Sequence, residues 1–272
     1  MSRQPGAGNH GRLVAFAAVI LAILTMAGVG AWRWRLAPPP SQTGAAMPAP
    51  CRSLVFEGDE YVVCELPHAD YAVAVGHNDG QTNPVATLGD FIGSRPSTTL
   101  PPVLAMNGGM YRLDLSPLGL LIEEGQEISP VALGSGTGNF YLKPNGIFLV
   151  APDGTPRIME SSAWAATRPP TRFATQSGPM LVSGGRIHSA FDTNGSSRYR
   201  RNGVGLGDGR LYLAVSRGVV SFGAFARLFR DELRCSDALY LDGAVSALAG
   251  SDGTIVGGTF PAGPVIVVNS SN

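Results

Sequence analysis

One strand-end carboxylate, two adjacent guanidiniums, an amide and two hydroxyls sit beside glycines in four short stretches of this chain. The stretches read AMNGGMY at 105–111, QSGPML at 176–181, RRNGVG at 200–205 and LYLDGAVSAL at 239–248. Their polar groups belong to Asn107, Ser177, Arg200, Arg201, Asp242 and Ser246, and their glycines include Gly108, Gly109, Gly178 and Gly243. Glycine at a strand end brings backbone N–H groups close to something, because no Cβ stands in the way. These residue types suit a sugar or a phosphate better than an apolar ligand. They predict a polar site, anionic or carbohydrate, drawn from the C-terminal two-thirds of the chain.

Each group has a chemical use and a plainer alternative. Arg201, with Arg200 as alternate, carries the planar fork that grips phosphate through two N–H bonds. Neighbours on a strand face opposite ways, so only one of the pair should enter a site. Asn107 can bond a sugar hydroxyl or a phosphate oxygen, while Gly108, Gly109 and Gly178 can present amides. Asp242 closes an apolar strand just before Gly243, a rim position for a nucleophile or general base. Read alone, Asp242-Gly243 is first of all a turn whose carboxylate bonds nearby backbone N–H groups. For a second carboxylate the candidates are Glu123, Glu124, Asp114 and Asp208, of which Glu124 and Asp208 fall in expected hairpin turns.

Other chemistries find no support. The histidines at 10, 68, 77 and 188 make no zinc spacing. Asp192-Thr193-Asn194-Gly195 starts like a calcium loop, but Gly203 falls where an acidic ligand is wanted. GxGxxG and P-loop patterns lack the strand–helix context they need, and SGPML is not a GxSxG elbow. The residues predict no cofactor, leave a divalent metal open, and with 20 basic against 20 acidic residues offer no basic face for a nucleic acid.

The elements that must position the site begin after residue 50. Leu13 to Ala31 is a run of 19 uncharged residues, about 28 Å as a helix and close to bilayer thickness. Trp32 and Trp34 alternate with Arg33 and Arg35 at the expected interface. Residues 1–35 thus read as a signal anchor, with a cleaved signal peptide as the alternative. The Pro/Ala-rich stretch 36–50 reads as a spacer. Either way residues 51–272 are expected outside the cytoplasm, held at the inner membrane or released to the periplasm. They suffice for one domain. Cys51 and Cys64 flank a hairpin turning at Gly58-Asp59, where export would permit a bridge, whereas Cys235 reads as a buried thiol. Further hairpins are expected about Glu124-Gly125, Asn145-Gly146, Asp153-Gly154 and Asp208-Gly209. A short helix is expected near 84–93, and one convincing helix follows Ser221 as its cap. The fold class is α+β and strand-rich, a mostly antiparallel or mixed sheet with few helices.

Six motifs in this order, AMNGGMY, SPLGLLIEEGQEI, GNFYLKPNGIF, SGPMLV, RRNGVG and DALYLDGAVSAL, resemble the phosphodiester glycosidase domain. That domain occurs in the enzyme that uncovers mannose 6-phosphate and in many exported bacterial proteins, and the resemblance spans roughly residues 51–270. It implies hydrolysis of a glycosyl–phosphate linkage and turns Asp242 from a turn residue into a catalytic candidate. The implied partner is a sugar phosphodiester or an envelope glycan. The mammalian-type motif is similar to Asn-Leu-Asp-Gly-Gly-Gly-Ser, whereas this chain has Tyr240-Leu241-Asp242-Gly243-Ala244-Val245-Ser246. The departures leave the sugar open. They also leave open a carbohydrate-binding module without catalysis, and a purely structural envelope protein.

Overall fold

The computed structural model describes residue 47 and residues 49–77, 87–94, 102–192 and 195–271. The apolar run at 13–31, most of the 36–50 spacer and two residues of the calcium-like loop lie outside the described residues. No helix among the described residues is long and apolar enough to cross a membrane.

In chain order the first strands are β1 (Cys51–Phe56), β2 (Asp59–Pro67) and β3 (Tyr71–Gly76), followed by helix α1 (Leu88–Gly93) and β4 (Leu104–Asn107). Then come β5 (Leu121–Glu123), β6 (Gln126–Ser129), β7 (Gly146–Val150), β8 (Pro156–Glu160), helix α2 (Ser161–Thr167), β9 (Phe173–Ser177), β10 (Met180–Ser183) and β11 (Arg186–Ile187). The last part holds β12 (Asn202–Gly207), β13 (Arg210–Ser216), helix α3 (Phe222–Arg227), β14 (Asp237–Asp242), β15 (Leu248–Gly250), β16 (Gly253–Val256) and β17 (Val265–Ser270). They form one seven-stranded sheet, β1-β2-β13-β12-β14-β10-β11, and two of five strands, β16-β15-β4-β17-β3 and β6-β5-β9-β7-β8. The ladders between these strands are antiparallel.

All three sheets pack inward on one core. Val62, Cys64, Met106, Phe148, Val204, Leu239, Leu241 and Ile266 meet there. Alternate residues of the same strands face outward under a helix. Tyr61, Val63 and Tyr240 lie against Phe225 and Phe229 of the α3 region. Ala105 and Val267 meet Leu88 and Phe91 of α1, and Ile147 and Leu149 meet Trp164 of α2. Strands buried on both faces read as continuous apolar runs, which is why VLAM, ALYL and PVIVV carry no alternation.

The Cys51–Cys64 bridge is formed between cross-strand partners, and Cys235 is buried and free. Two turn expectations and one helix expectation need adjustment or replacement. The first hairpin turns on Glu57-Gly58, both at positive φ, one residue earlier than expected. Asn145-Gly146 is no turn: Gly146 opens the interior strand β7 and pairs with both Glu160 and Ser177. Ser221 caps α3 by accepting from the Ala224 N–H, but the expected long helix widens into a π-helical turn at Leu228–Glu232. Glu124-Gly125 and Asp208-Gly209 have the positive φ pairs expected of tight hairpins.

Candidate functional site

Asp242 and Tyr240 stand two residues apart at the end of β14 and therefore share a face, while Leu239 and Leu241 point into the core. Beside them the loop before β12 supplies Ser197 and Tyr199, and Asn139, Met110, Gly243 and Ala244 complete an open cleft of about 350 Å³. Asp242 is the one carboxylate among these lining residues. Burial pushes its pKa up to about 6, partly opposed by the Gly243 N–H, which donates to Oδ1 at 2.6 Å. The turn expected of Asp-Gly and the cleft expected of a catalytic group coexist in the one residue.

Behind Asp242 lies a closed polar network centred on Asn202, a residue that sequence reasoning passed over although it stands inside RRNGVG. Its Oδ1 accepts from the Asp242 N–H at 2.9 Å and the Ser246 hydroxyl at 3.3 Å. Its Nδ2 donates to the backbone carbonyl of Asn107 at 2.7 Å and to Asn107 Oδ1 at 3.0 Å. Asn107 Oδ1 also accepts from the Ala247 N–H at 2.7 Å. Ser246 Oγ further donates within the turn, 2.6 Å from the Gly243 carbonyl. Two of the predicted residues, Asn107 and Ser246, are thus tied to Asp242 through Asn202 across two sheets. They hold its backbone and do not line the cleft.

Arg201 lies under the same cleft and is fully buried. Its Nε donates to the Val220 carbonyl at 3.0 Å and its Nη2 to the Ser197 carbonyl at 2.8 Å, while Nη1 has no partner. The guanidinium lies 3.5 Å from the Phe222 ring centroid, with Tyr240 at 5.3 Å and Tyr199 at 5.8 Å. Burial lowers its pKa from the ordinary arginine value, but a guanidinium remains charged at any pH of interest. Among the described residues no salt bridge neutralises it. Arg200 donates weakly to the Arg217 carbonyl at 3.4 Å; both arginines precede β12, which begins at Asn202, and neither lines the cleft.

The remaining predicted residues are spread along the walls of the fold. Ser177 is buried, with its hydroxyl on the Leu241 carbonyl at 2.6 Å, so it braces the strand that carries Asp242. The Gly108 N–H is taken by the Pro264 carbonyl and the Gly109 N–H by Thr175 Oγ1. A Cβ on Gly109 would fall 2.2 Å from the Gln176 carbonyl, and one on Gly178 would fall 2.5 Å from Asn145 Cβ. The close approach that these glycines permit is to the protein's own backbone and side chains. Gly243 alone of the four lines the cleft, where an added Cβ would lie 2.6 Å from the Tyr240 hydroxyl.

None of the four candidates for a second carboxylate lines the cleft. Glu124 pairs with Arg172 at 2.8 Å, and Asp114 accepts from Ser116 at 2.6 Å. Asp208 occupies its hairpin turn, and Glu123 is partly buried, with burial raising its pKa. Among the described residues no group of three or more His, Cys, Asp and Glu is arranged to hold a metal ion. Sequence reasoning missed Tyr240, Tyr199 and Asn139 besides Asn202. For Tyr240 a signal existed, the two-residue period that joins it to Asp242; Tyr199 sits in a loop and Asn139 opens a single 3-10 turn, Asn139–Tyr141, too short for any period to show.

A family model described as Phosphodiester glycosidase matches residues 101–257, more than half of the chain. The uncharacterized protein YigE of Escherichia coli (strain K12) is 38% identical over 159 residues, which cover 58% of this chain and 62% of that protein. The match thus spans less than two thirds of that relative. Among solved structures, the zebrafish N-acetylglucosamine-1-phosphodiester alpha-N-acetylglucosaminidase catalytic domain, auto-inhibited by its pro-peptide, superposes with a TM-score of 0.59 at 14% identity. The superposition covers 84% of this chain and 85% of that one. A hypothetical protein from Synechocystis superposes with a TM-score of 0.54 at 14% identity, over 80% of this chain and 61% of that one. At such identity the structural likeness concerns the fold.

Proposed function

This chain belongs to the phosphodiester glycosidase family, and from that premise we propose that it hydrolyses a glycosyl phosphodiester in the cleft beside Asp242. The observation that carries the reading is a carboxylate whose pKa burial raises to about 6 on a cleft wall, near a buried guanidinium that has no ion pair among the described residues. Cleaving a glycosyl–phosphate bond builds positive charge at the anomeric carbon and releases a phosphate monoester, which departs without a strong acid. Ionised Asp242 can attack or shield that carbon, or take a proton from water. One carboxylate then suffices, which accords with the absence of a second among the lining residues.

Purified full-length protein should release N-acetylglucosamine, or another sugar, from a methyl or aryl glycosyl-1-phosphodiester. Asp242→Asn, folded by thermal melt, should not. Wild-type-like rates in that variant would remove Asp242 from catalysis, and no turnover of any such diester by the wild type would overturn the reading. The carbohydrate-binding reading is favoured by one observation, the backbone bond that Asp242 Oδ1 accepts from the Gly243 N–H; sugar-phosphate binding without hydrolysis is its signature.

The uncharged stretch at 13–31 and the spacer after it support an anchored domain facing away from the cytoplasm. Protease added to spheroplasts should then digest residues 51–272, and protection of them would reject that orientation. A soluble form beginning near Trp32 would favour signal cleavage.

A further inference from the structure

Resting on the phosphodiester reading of the cleft, we infer that the Tyr240 hydroxyl, and not the Arg201 guanidinium, meets the substrate's phosphate, with Arg201 acting through it as a positioning residue. Arg201 is fully buried and is not among the lining residues. Its Nε and Nη2 are committed to the Val220 and Ser197 carbonyls. Phe222, Tyr240 and Tyr199 stand around its guanidinium, so an anion could touch it only after the aromatic residues between them had moved. Tyr240 is nearly as buried, at 1% exposure, but it lines the cleft on the same strand face as Asp242.

The hydroxyl has the right polarity for the task. The Arg201 and Asn139 side chains lower its pKa against the larger upward push of burial, and the guanidinium stands 5.3 Å from its ring centroid. Arg201 Nη1 nevertheless completes no hydrogen bond of good geometry, so the contact is loose. Asp242 acts on it through charge, in the direction that keeps the phenol protonated. Burial holds the phenol protonated far above neutral pH. The result is a neutral donor with a fixed positive charge behind it. A sugar hydroxyl could accept that proton, but only an anion also gains from the buried guanidinium. Gly243 belongs to the same device, because a Cβ there would lie 2.6 Å from the hydroxyl.

The test is titration calorimetry on the full-length protein with N-acetylglucosamine 1-phosphate, inorganic phosphate and N-acetylglucosamine. Tyr240→Phe keeps the ring over Arg201 and removes only the donor. It should weaken binding of both phosphate probes by about 10- to 100-fold, as loss of a charge-assisted hydrogen bond would, and leave binding of the neutral sugar unchanged. Gly243→Ala should act in the same direction by displacing the hydroxyl, and it serves if Tyr240→Phe does not fold. Arg201→Lys should restore phosphate binding lost in Arg201→Met, because a charge at second remove need not keep the guanidinium's fork. Phosphate binding unchanged in both Tyr240→Phe and Gly243→Ala would overturn the inference, as would a wild type that binds neither phosphate probe. Phosphate binding that depends on Tyr240 without hydrolysis of any diester would overturn the proposed reaction and leave this contact standing.

Discussion

The polar groups around the cleft divide into two halves of opposite character. On one side Asn202, Asn107 and Ser246 form a network in which nearly every donor and acceptor is used, with Asn107 Nδ2 the one open valence. On the other side Arg201 is a buried charge whose Nη1 has no hydrogen-bond partner among the described residues, Tyr240 lines the cleft, and burial raises the pKa of Asp242 to about 6. Buried polar groups are normally satisfied, because an unmet donor costs on the order of 1–3 kcal/mol. On the proposed reading the closed half is scaffold, and in the open half Tyr240 and Asp242 face the substrate with Arg201 behind them. Residue type alone does not separate them, since asparagine, serine and arginine were equally good sugar or phosphate ligands on paper.

The sharpest way to break the comparison is Asp242→Asn, which should lower turnover of a glycosyl phosphodiester by on the order of a thousandfold or more. Thermal melts serve as the folding control. A variant that loses fold and turnover together would shift Asp242 to the scaffold half. Asn202→Ala should do what Asp242→Asn does not. Leaving the Asp242 N–H without its acceptor and Asn107 without the Asn202 donor should destabilise the protein by about 2–3 kcal/mol in urea unfolding. An unchanged unfolding midpoint would deny Asn202 its structural role. Away from the cleft, reduction of the Cys51–Cys64 bridge should cost about 2–3 kcal/mol, because it closes a loop of about a dozen residues. Thiol counting on denatured, unreduced protein should find one free cysteine, and three would reject the bridge.

The smallest effect concerns pH. Folding raises the Asp242 pKa from an ordinary 3.8 to about 6, so the folded state binds the proton more tightly than the unfolded state. Stability from this group is present below about pH 4 and is lost as pH rises through about 6. At pH 7–8 Asp242→Asn should accordingly be the more stable protein, by about 1–3 kcal/mol, with the advantage vanishing near pH 4. An advantage independent of pH would assign the gain to something other than the carboxylate charge. Turnover should run the other way, rising with pH through about 6 as the carboxylate forms.

Much of the architecture was legible from local chemistry. Asp and Glu before Gly marked the hairpins at 124–125 and 208–209 because tight hairpin turns need positive φ at both positions. Ser221 marked a helix start because its side chain can accept an orphan N–H. Asn145-Gly146 misled, since the same dipeptide serves as the entry to an interior strand when Asn145 Nδ2 bonds the Phe140 carbonyl and Gly146 packs beneath Met180 and Leu239. The glycines of the site motifs misled in a more instructive way. A missing Cβ announces that something comes close, and the sequence cannot say whether that neighbour is a ligand or the protein itself. At Gly109 it is β9, and at Gly205 it is the Phe229 ring at 2.5 Å from the position of a Cβ.

The sequence by itself therefore determined the strand-rich class, the disulfide partners, the helix cap and the short list of polar residues, because these follow from side-chain chemistry acting over a few positions. It also placed the family, through the order of six motifs. Only the tertiary structure decided which of those residues are scaffold and which face the cleft. That choice turns on neighbours brought from distant segments: Asn107 reaches Asn202 across 95 positions and Ala247 across 140, and whether a donor is satisfied depends on such partners, which no local pattern records.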